Sequence, residues 1–244
     1  MRLDDYDAIL CDLDGCLISG ATVLPGAKDV LVAAGERLVI LSNNSTDTPE
    51  TLSKRLQAME LHVPPERIVL AGTAALDHLV GFPDARICLY GSQVLREYAK
   101  ELGLSLTREA STHVVLTRDE NYGYAQLRET LALIAMGAQL VVANPDISHP
   151  GPDGTLVPET GSLLSAILSV YPGFPHVIIG KPEPNLYHDA LRRFKKDVRT
   201  VLAIGDNPST DAKGAARLGY DFVLISPHIG VGIGLQRLLS HRAN

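Results

Sequence analysis

Residues 8–17 read AILCDLDGCL, four apolar residues running straight into two aspartates separated by a single leucine. A short apolar run of this kind fits a buried strand, and the period of two along an extended chain points Asp12 and Asp14 to the same side. Carboxylates held that close repel and raise each other's pKa unless a cation or a proton intervenes. A positive group is therefore expected beside them.

The composition limits what that group serves. The chain has 244 residues, 45% of them hydrophobic, enough to bury a sizeable core in one large domain or two modest ones. Its 28 acidic residues against 22 basic leave a formal charge of −6, and only 5% are aromatic. With no Lys/Arg run, this disfavours nucleic acid and points to a small partner. The three cysteines, Cys11, Cys16 and Cys88, show no zinc-ligand spacing and read as reduced packing residues. The eight histidines lack ligand spacing as well. The first residues, MRLDDYDAIL, lack the basic start and long apolar stretch of a signal peptide. No apolar run approaches the roughly 20 residues that span a bilayer, so the expectation is a cytoplasmic protein with no membrane partner.

Outward from the first strand, apolar runs alternate with helical patterns, the mark of parallel βαβ construction. LPGAKDVLVAAGERL reads as a crossover helix with Pro25 in its first turn and Gly35 as its stop. LVILSNN follows as a strand and TPETLSKRLQAMEL as a helix, with Thr48 as N-cap candidate and Pro49 at its first position. Near the other end HVIIGKP, TVLAIGDN and DFVLIS supply further strands, separated by helices at NLYHDALRRFKK and DAKGAARLG. Between these halves lies a region with its own strands (RICLYG, THVVLT, QLVVANPD) and helices (SQVLREYAKELG, YAQLRETLALIAMG). The punctuated segments GFPD at 81–84 and YPGFPH at 171–176 suit hinges at its borders. The expected fold is α/β: a doubly wound parallel-sheet core formed by residues 1–80 and 176–244, with a smaller α/β domain inserted at 81–175. The glycine-rich GVGIG at 230–234 lacks the context of a dinucleotide fingerprint and reads as a loop.

The unusual polar residues fall after the carboxyl ends of separate apolar runs: Asp12 after AILC, Ser42 and Asn43 after LVIL, Lys181 after HVIIG, Asp206 after TVLAIG. In an open α/β sheet that edge is where a ligand crevice forms. Carboxylates with loop oxygens suit a hard cation such as Mg²⁺, which binds through one or two carboxylates with substrate phosphate and water completing its shell. Lysine, hydroxyl and backbone N–H groups stabilise phosphoryl oxygens, and a carboxylate can attack phosphorus and split one displacement into two. The inventory points to phosphoryl transfer. DLDG as a calcium loop is excluded, since that register puts Leu10 and Ala21 at positions requiring acids.

Four motifs in order, DLDGCL, LSNNS, GKPEP and GDNPSTD, resemble those of the haloacid dehalogenase (HAD) superfamily. With VVANPD and ETGSLLSAI in the middle region, the chain resembles the NagD-like phosphatases, which carry an α/β cap between the second and third motifs. The resemblance implies a Rossmann-like core with an inserted cap, and Mg²⁺-dependent hydrolysis of a small phosphomonoester metabolite through an aspartyl phosphate. It implies Asp12 as nucleophile and Asp14 as general acid/base. Mg²⁺ would be held by the Asp12 carboxylate, the Asp14 carbonyl and Asp206, with Asp211 ordering its water. Ser42, with the Asn43 backbone, would bind phosphoryl oxygens, and Lys181 would neutralise both phosphate and nucleophile. Asn144 and Asp146 match a cap loop that helps select substrate. Cys16 stands where valine or threonine is commoner, at a position with no chemical role in the motif. Cap-mediated homodimers occur in similar proteins. Phosphomutases or dehalogenases on the same fold, and a phospho-aspartate signalling domain, are the alternatives; Asp14, needed to expel an alkoxide, speaks against dehalogenation.

Overall fold

The computed structural model describes residues 1–151, 155–225 and 234–239. The stretch 230–233, the greater part of the glycine-rich loop, lies outside them. Two compact units are formed, the first from residues 1–42, 49–69 and 181–244, the second from 43–48 and 70–180.

The sheet of the first unit has five strands in the order Asp221–Leu224, Val201–Gly205, Ala8–Cys11, Leu38–Ser42, Ile68–Leu70. Ala8–Cys11 pairs in parallel with both of its neighbours, Cys11 lying opposite Ile204 on one side and Ile40 on the other. Every residue of Ala8–Cys11, Leu38–Ser42 and Val201–Gly205 is buried, as expected of parallel strands covered on both faces. The chain runs outward from Ala8–Cys11 in one direction through Ile68–Leu70, then returns to fill the other side. The order therefore reverses between Ala8–Cys11 and Val201–Gly205, and a crevice opens at the carboxyl ends of strands flanking such a reversal. Asp12 and Asp206 are the residues that leave those two strands.

The helices follow the expected pattern with local shifts. Pro25 precedes the first helix instead of joining it, because Gly26 adopts a left-handed φ of 86° and the helix spans Ala27–Ala34. Pro49–Ala58 starts on its proline as expected and buries Leu52 and Leu56. Asp211 does not open a regular helix. It lies in a π-helical turn, Pro208–Ala212, ahead of the helix Lys213–Leu218. Wide turns of this kind concentrate at functional sites.

The second unit has its own five-stranded sheet, in the order His176–Ile178, Gln139–Val142, His113–Leu116, Arg86–Tyr90, Ser105–Leu106, with every adjacent pair parallel. Its core includes Tyr90, Val114, Leu116, Leu140, Val142, Leu164 and Ile167. The borders differ from the sequence expectation. His176–Ile178 pairs with Leu140–Val142, so 176–180 belong to the second unit. The helix Ala71–Val80, with seven buried residues, belongs there too. The expected hinge at 81–84 is an internal turn, in which the Phe82 N–H donates to the Leu79 carbonyl and the Ala85 N–H to that of Phe82. The chain instead passes between units at 42/43, 48/49, 69/70 and 180/181.

One close approach in the second unit requires glycine. The Gly161 N–H donates to the Asp146 carbonyl at 2.7 Å, and a β-carbon at 161 would stand 2.2 Å from the Pro145 oxygen. Gly161→Ala is expected to destabilise the protein by about 1–3 kcal/mol, read as a fall of several degrees in melting temperature; an unchanged melt would contradict this packing.

Candidate active site

The centre of the first unit's crevice is a buried ammonium between two carboxylates. Lys181 Nζ donates to Asp12 Oδ1 and to Asp211 Oδ1, both at 2.6 Å, and only 2% of the lysine is exposed. Burial works against its charge, but Asp12 and Asp211 outweigh burial and drive its pKa well above the ordinary lysine value. Three separate segments meet here. The Asp12 N–H donates to the Ile204 carbonyl at 2.8 Å, continuing the ladder between neighbouring strands. Asp211 is held by its turn: its N–H donates to the Asn207 carbonyl at 2.9 Å, and its Oδ2 accepts from the Asn207 N–H at 3.2 Å. Ser42 ends its strand buried.

Asp14 follows on an exposed turn, closed by the Gly15 N–H donating to the Ile18 carbonyl at 2.8 Å. Gly15 takes a φ of +81°, and a β-carbon there would fall 1.9 Å from Asp206 Oδ2. The DG pair thus lets the chain turn within reach of the next strand's aspartate.

The negative charge exceeds the positive. Burial first, then Asp211, push the Asp206 carboxyl up to about 6. Burial also raises Asp12 well above the ordinary carboxylate value, with Asp211 and Asp14 adding to the rise against the pull of Lys181. Asp12 and Asp206 have ligand oxygens within 4.8 Å of each other and of the Cys16 sulfur. Burial pushes the Cys16 thiol up strongly, and a soft sulfur suits a hard cation less well than the carboxylate oxygens beside it. The available donors are hard carboxylate oxygens with one lysine against four acidic side chains, and that set fits Mg²⁺.

Of the residues singled out in the sequence, the first unit brings Asp12, Asp206, Asp211 and Lys181 together, with Asp14 and Ser42 on the same strand ends. Asn43, Asn144 and Asp146 lie in the second unit, where Asn43 Nδ2 donates to Asp146 Oδ2 at 2.9 Å. Asn144 is fully buried, and its Nδ2 is directed at the Asn43 carbonyl, Ser45 Oγ and Thr160 Oγ1 at 2.8, 3.2 and 3.3 Å. This departs from the expectation that Asn144 touches substrate. Two neighbours of the site escaped sequence reading. Cys16 has no chemical role in the motif, yet its sulfur lies within 4.8 Å of oxygens of Asp12 and Asp206. Tyr187, fully buried, donates its hydroxyl to the Asp211 carbonyl at 3.3 Å; nothing in an apolar helical pattern singles out such a tyrosine.

Comparison with known proteins agrees with this geometry. Residues 9–105 match the family model described as haloacid dehalogenase-like hydrolase, and residues 178–228 match a HAD-hydrolase-like model. The chain is 32% identical over 232 residues to a dihydroxyacetone phosphatase of Corynebacterium glutamicum, covering 93% of this chain and 84% of that protein. It is 31% identical over 236 residues to an acid sugar phosphatase of Staphylococcus aureus, covering 95% and 89%. The crystal structure of a glycerol phosphate phosphatase from Mycobacterium tuberculosis in complex with magnesium superposes with a TM-score of 0.86 at 26% identity, over 97% of this chain and 77% of that one. With motifs, sheet order and relatives in agreement over nearly its whole length, this chain belongs to the haloacid dehalogenase-like hydrolases, with a Rossmann-like core and an inserted α/β cap.

Proposed function

We propose that the protein is a Mg²⁺-dependent phosphatase of small hydroxylated phosphomonoesters, and that Asp12 is its nucleophile. The observation that carries this reading is the buried Lys181 ammonium 2.6 Å from Asp12 Oδ1, with an Asp206 carboxylate oxygen within 4.8 Å of one of Asp12. An Asp12 oxygen attacks phosphorus, and the bond from phosphorus to the ester oxygen breaks. Asp14, on its exposed turn, gives its proton to the departing oxygen, and an aspartyl phosphate remains on Asp12. The Asp14 carboxylate then takes a proton from water, whose oxygen attacks phosphorus. The phosphorus–Asp12 bond breaks, and inorganic phosphate leaves with Asp12 and Asp14 restored.

Ser42 Oγ and the Asn43 N–H serve the phosphoryl oxygens as charge moves through the transition state. Lys181 keeps the nucleophile and the phosphoryl group from repelling each other. Asp12, the Asp14 carbonyl and Asp206 would hold Mg²⁺, with Asp211 acting through water. The ion, when bound, supplies charge neutralisation and polarisation of a phosphoryl oxygen.

The names of the relatives, a dihydroxyacetone phosphatase, an acid sugar phosphatase and a glycerol phosphate phosphatase, support a phosphorylated triose, polyol or sugar as substrate. Asp146 at the second unit's loop is our candidate for reading that hydroxylated part. Among the described residues no helix is long and apolar enough to cross a membrane. The three cysteines are buried free thiols, which supports a reducing, cytoplasmic setting. The exposed Tyr124 and Met136, at either end of the helix Tyr124–Ala135, are surface that a second copy would cover in a cap-mediated homodimer.

Purified protein screened over phosphorylated triose, glycerol and sugar substrates is expected to release inorganic phosphate, and Asp12→Asn is expected to lower that release by at least about 10³-fold. Substantial turnover in the variant would remove Asp12 from its role. Chelation with EDTA should silence the enzyme and added Mg²⁺ restore it; activity indifferent to chelation would count against the metal assignment. Lys181→Met leaves Asp12 and Asp211 buried against each other, so a loss of about 3–5 kcal/mol is expected, measured by denaturant unfolding in EDTA. A variant as stable as the parent would show that the ion triad is not what holds these segments together.

A further inference from the structure

In its own chain order the second sheet runs 2-1-3-4-5, an arrangement whose reversal lies between Arg86–Tyr90 and His113–Leu116. A doubly wound sheet of this order takes its ligand beyond the carboxyl ends of the strands at that reversal. Here the place is filled by the chain itself. Ser92 Oγ, just after Arg86–Tyr90, donates to the Thr46 carbonyl at 2.7 Å. The Arg118 N–H, just after His113–Leu116, donates to Ser45 Oγ at 3.1 Å. Asn144, just after Gln139–Val142, donates to the Asn43 carbonyl and Ser45 Oγ. Gly180, just after His176–Ile178, lies so close that a β-carbon would stand 2.5 Å from Asn43 Oδ1 and 2.7 Å from the Ala143 oxygen. From the side, the Gly72 N–H donates to the Asn44 carbonyl at 3.1 Å.

The segment so held begins one peptide bond after Ser42, and Gly180 is one peptide bond before Lys181. We propose that the carboxyl-end crevice of the second sheet is a docking site for the chain's own residues 43–48, and that Asn144 is a positioning residue which, through the Asn43 carbonyl, sets the Ser42–Asn43 phosphoryl-binding group. The inference rests on the reading that Ser42 and the Asn43 N–H bind phosphoryl oxygens. Asn144 suits the task. It is 0% exposed, as is Thr160, and Ser45 is 2% exposed, so these two partners are held where no water replaces the lost amide. Its Oδ1 accepts from the Asp146 N–H at 3.1 Å, which ties the loop carrying Asp146 to the same point. A misplaced phosphoryl-binding group penalises every phosphomonoester alike, whereas a lost contact to the leaving group penalises only some.

The test uses the full-length, Mg²⁺-loaded protein with Asn144→Ala, Thr160→Val and Ser42→Ala, two substrates of unlike leaving group (4-nitrophenyl phosphate and glycerol phosphate), and inorganic phosphate as inhibitor. Asn144→Ala is expected to lower kcat/KM roughly tenfold or more, by the same factor on both substrates, and to raise the inhibition constant of inorganic phosphate in step. Thr160→Val should move both in the same direction by less, and carries the test alone if Asn144→Ala does not fold. Mere destabilisation shrinks the active fraction and leaves the inhibition constant where it was. An unchanged inhibition constant, or a loss confined to one substrate, overturns the inference. If Ser42→Ala leaves phosphate inhibition untouched, the phosphoryl-binding reading itself fails; if Ser42→Ala weakens it and Asn144→Ala does not, the inference alone fails.

Discussion

A single ammonium, Lys181, buried between Asp12 and Asp211, is the interaction on which the first unit's site depends. The lysine and its two partners come from positions 181, 12 and 211, which lie on separate strand ends and one wide turn. Carboxylates at this depth are destabilising without compensation, and one lysine does not compensate them all. The remaining negative charge, with oxygens of Asp12 and Asp206 within 4.8 Å of each other, is what suits the site to a divalent cation. Two demands thus converge: the negative charge that suits the crevice to a divalent cation is also the charge that Lys181 balances where these segments meet.

Two sheets of the same construction lie in one chain, each with a reversal of strand order and a crevice at its carboxyl ends. They use that feature differently. In the first, the crevice gathers acids around a lysine. In the second, its strand ends are occupied by residues 43–48 through hydrogen bonds from Ser92, Arg118 and Asn144. Residues 43–48 are therefore part of the second unit's own packing. The loop after the second strand of the first sheet is part of the inserted unit's own buried polar network, and such networks fix one arrangement when every member is satisfied.

The motifs, the alternation of strands and helices, and the identity of the chemistry were readable from sequence because each is spelled by neighbouring residues. An apolar run followed by DLDG, or by GDN, states both the strand and what stands at its end. The same local logic placed Pro49 at the start of its helix. It failed for the borders of the inserted unit, because glycine and proline mark turns without telling which sheet the next strand joins. His176–Ile178 follows a turn suited to a hinge, yet pairs with Leu140–Val142.

What the sequence alone determined is the set of groups: four aspartates, a lysine, a serine and an asparagine in motifs that follow apolar runs, and a family pattern linking them. What only the tertiary structure decided is which of those groups gather around Lys181 and which are committed elsewhere. Asn144 and Asp146 are two residues apart and look alike as polar loop residues, but Asn144 is committed to acceptors at positions 43, 45 and 160. The Asp211 turn winds wide, and Cys16 comes to rest beside two carboxylates. The physical reason is separation along the chain. The bond from Lys181 to Asp12 spans 169 residues and that from Asn144 to Asn43 spans 101. Local propensity has no term for a partner that far away, so only the packed sheets select it.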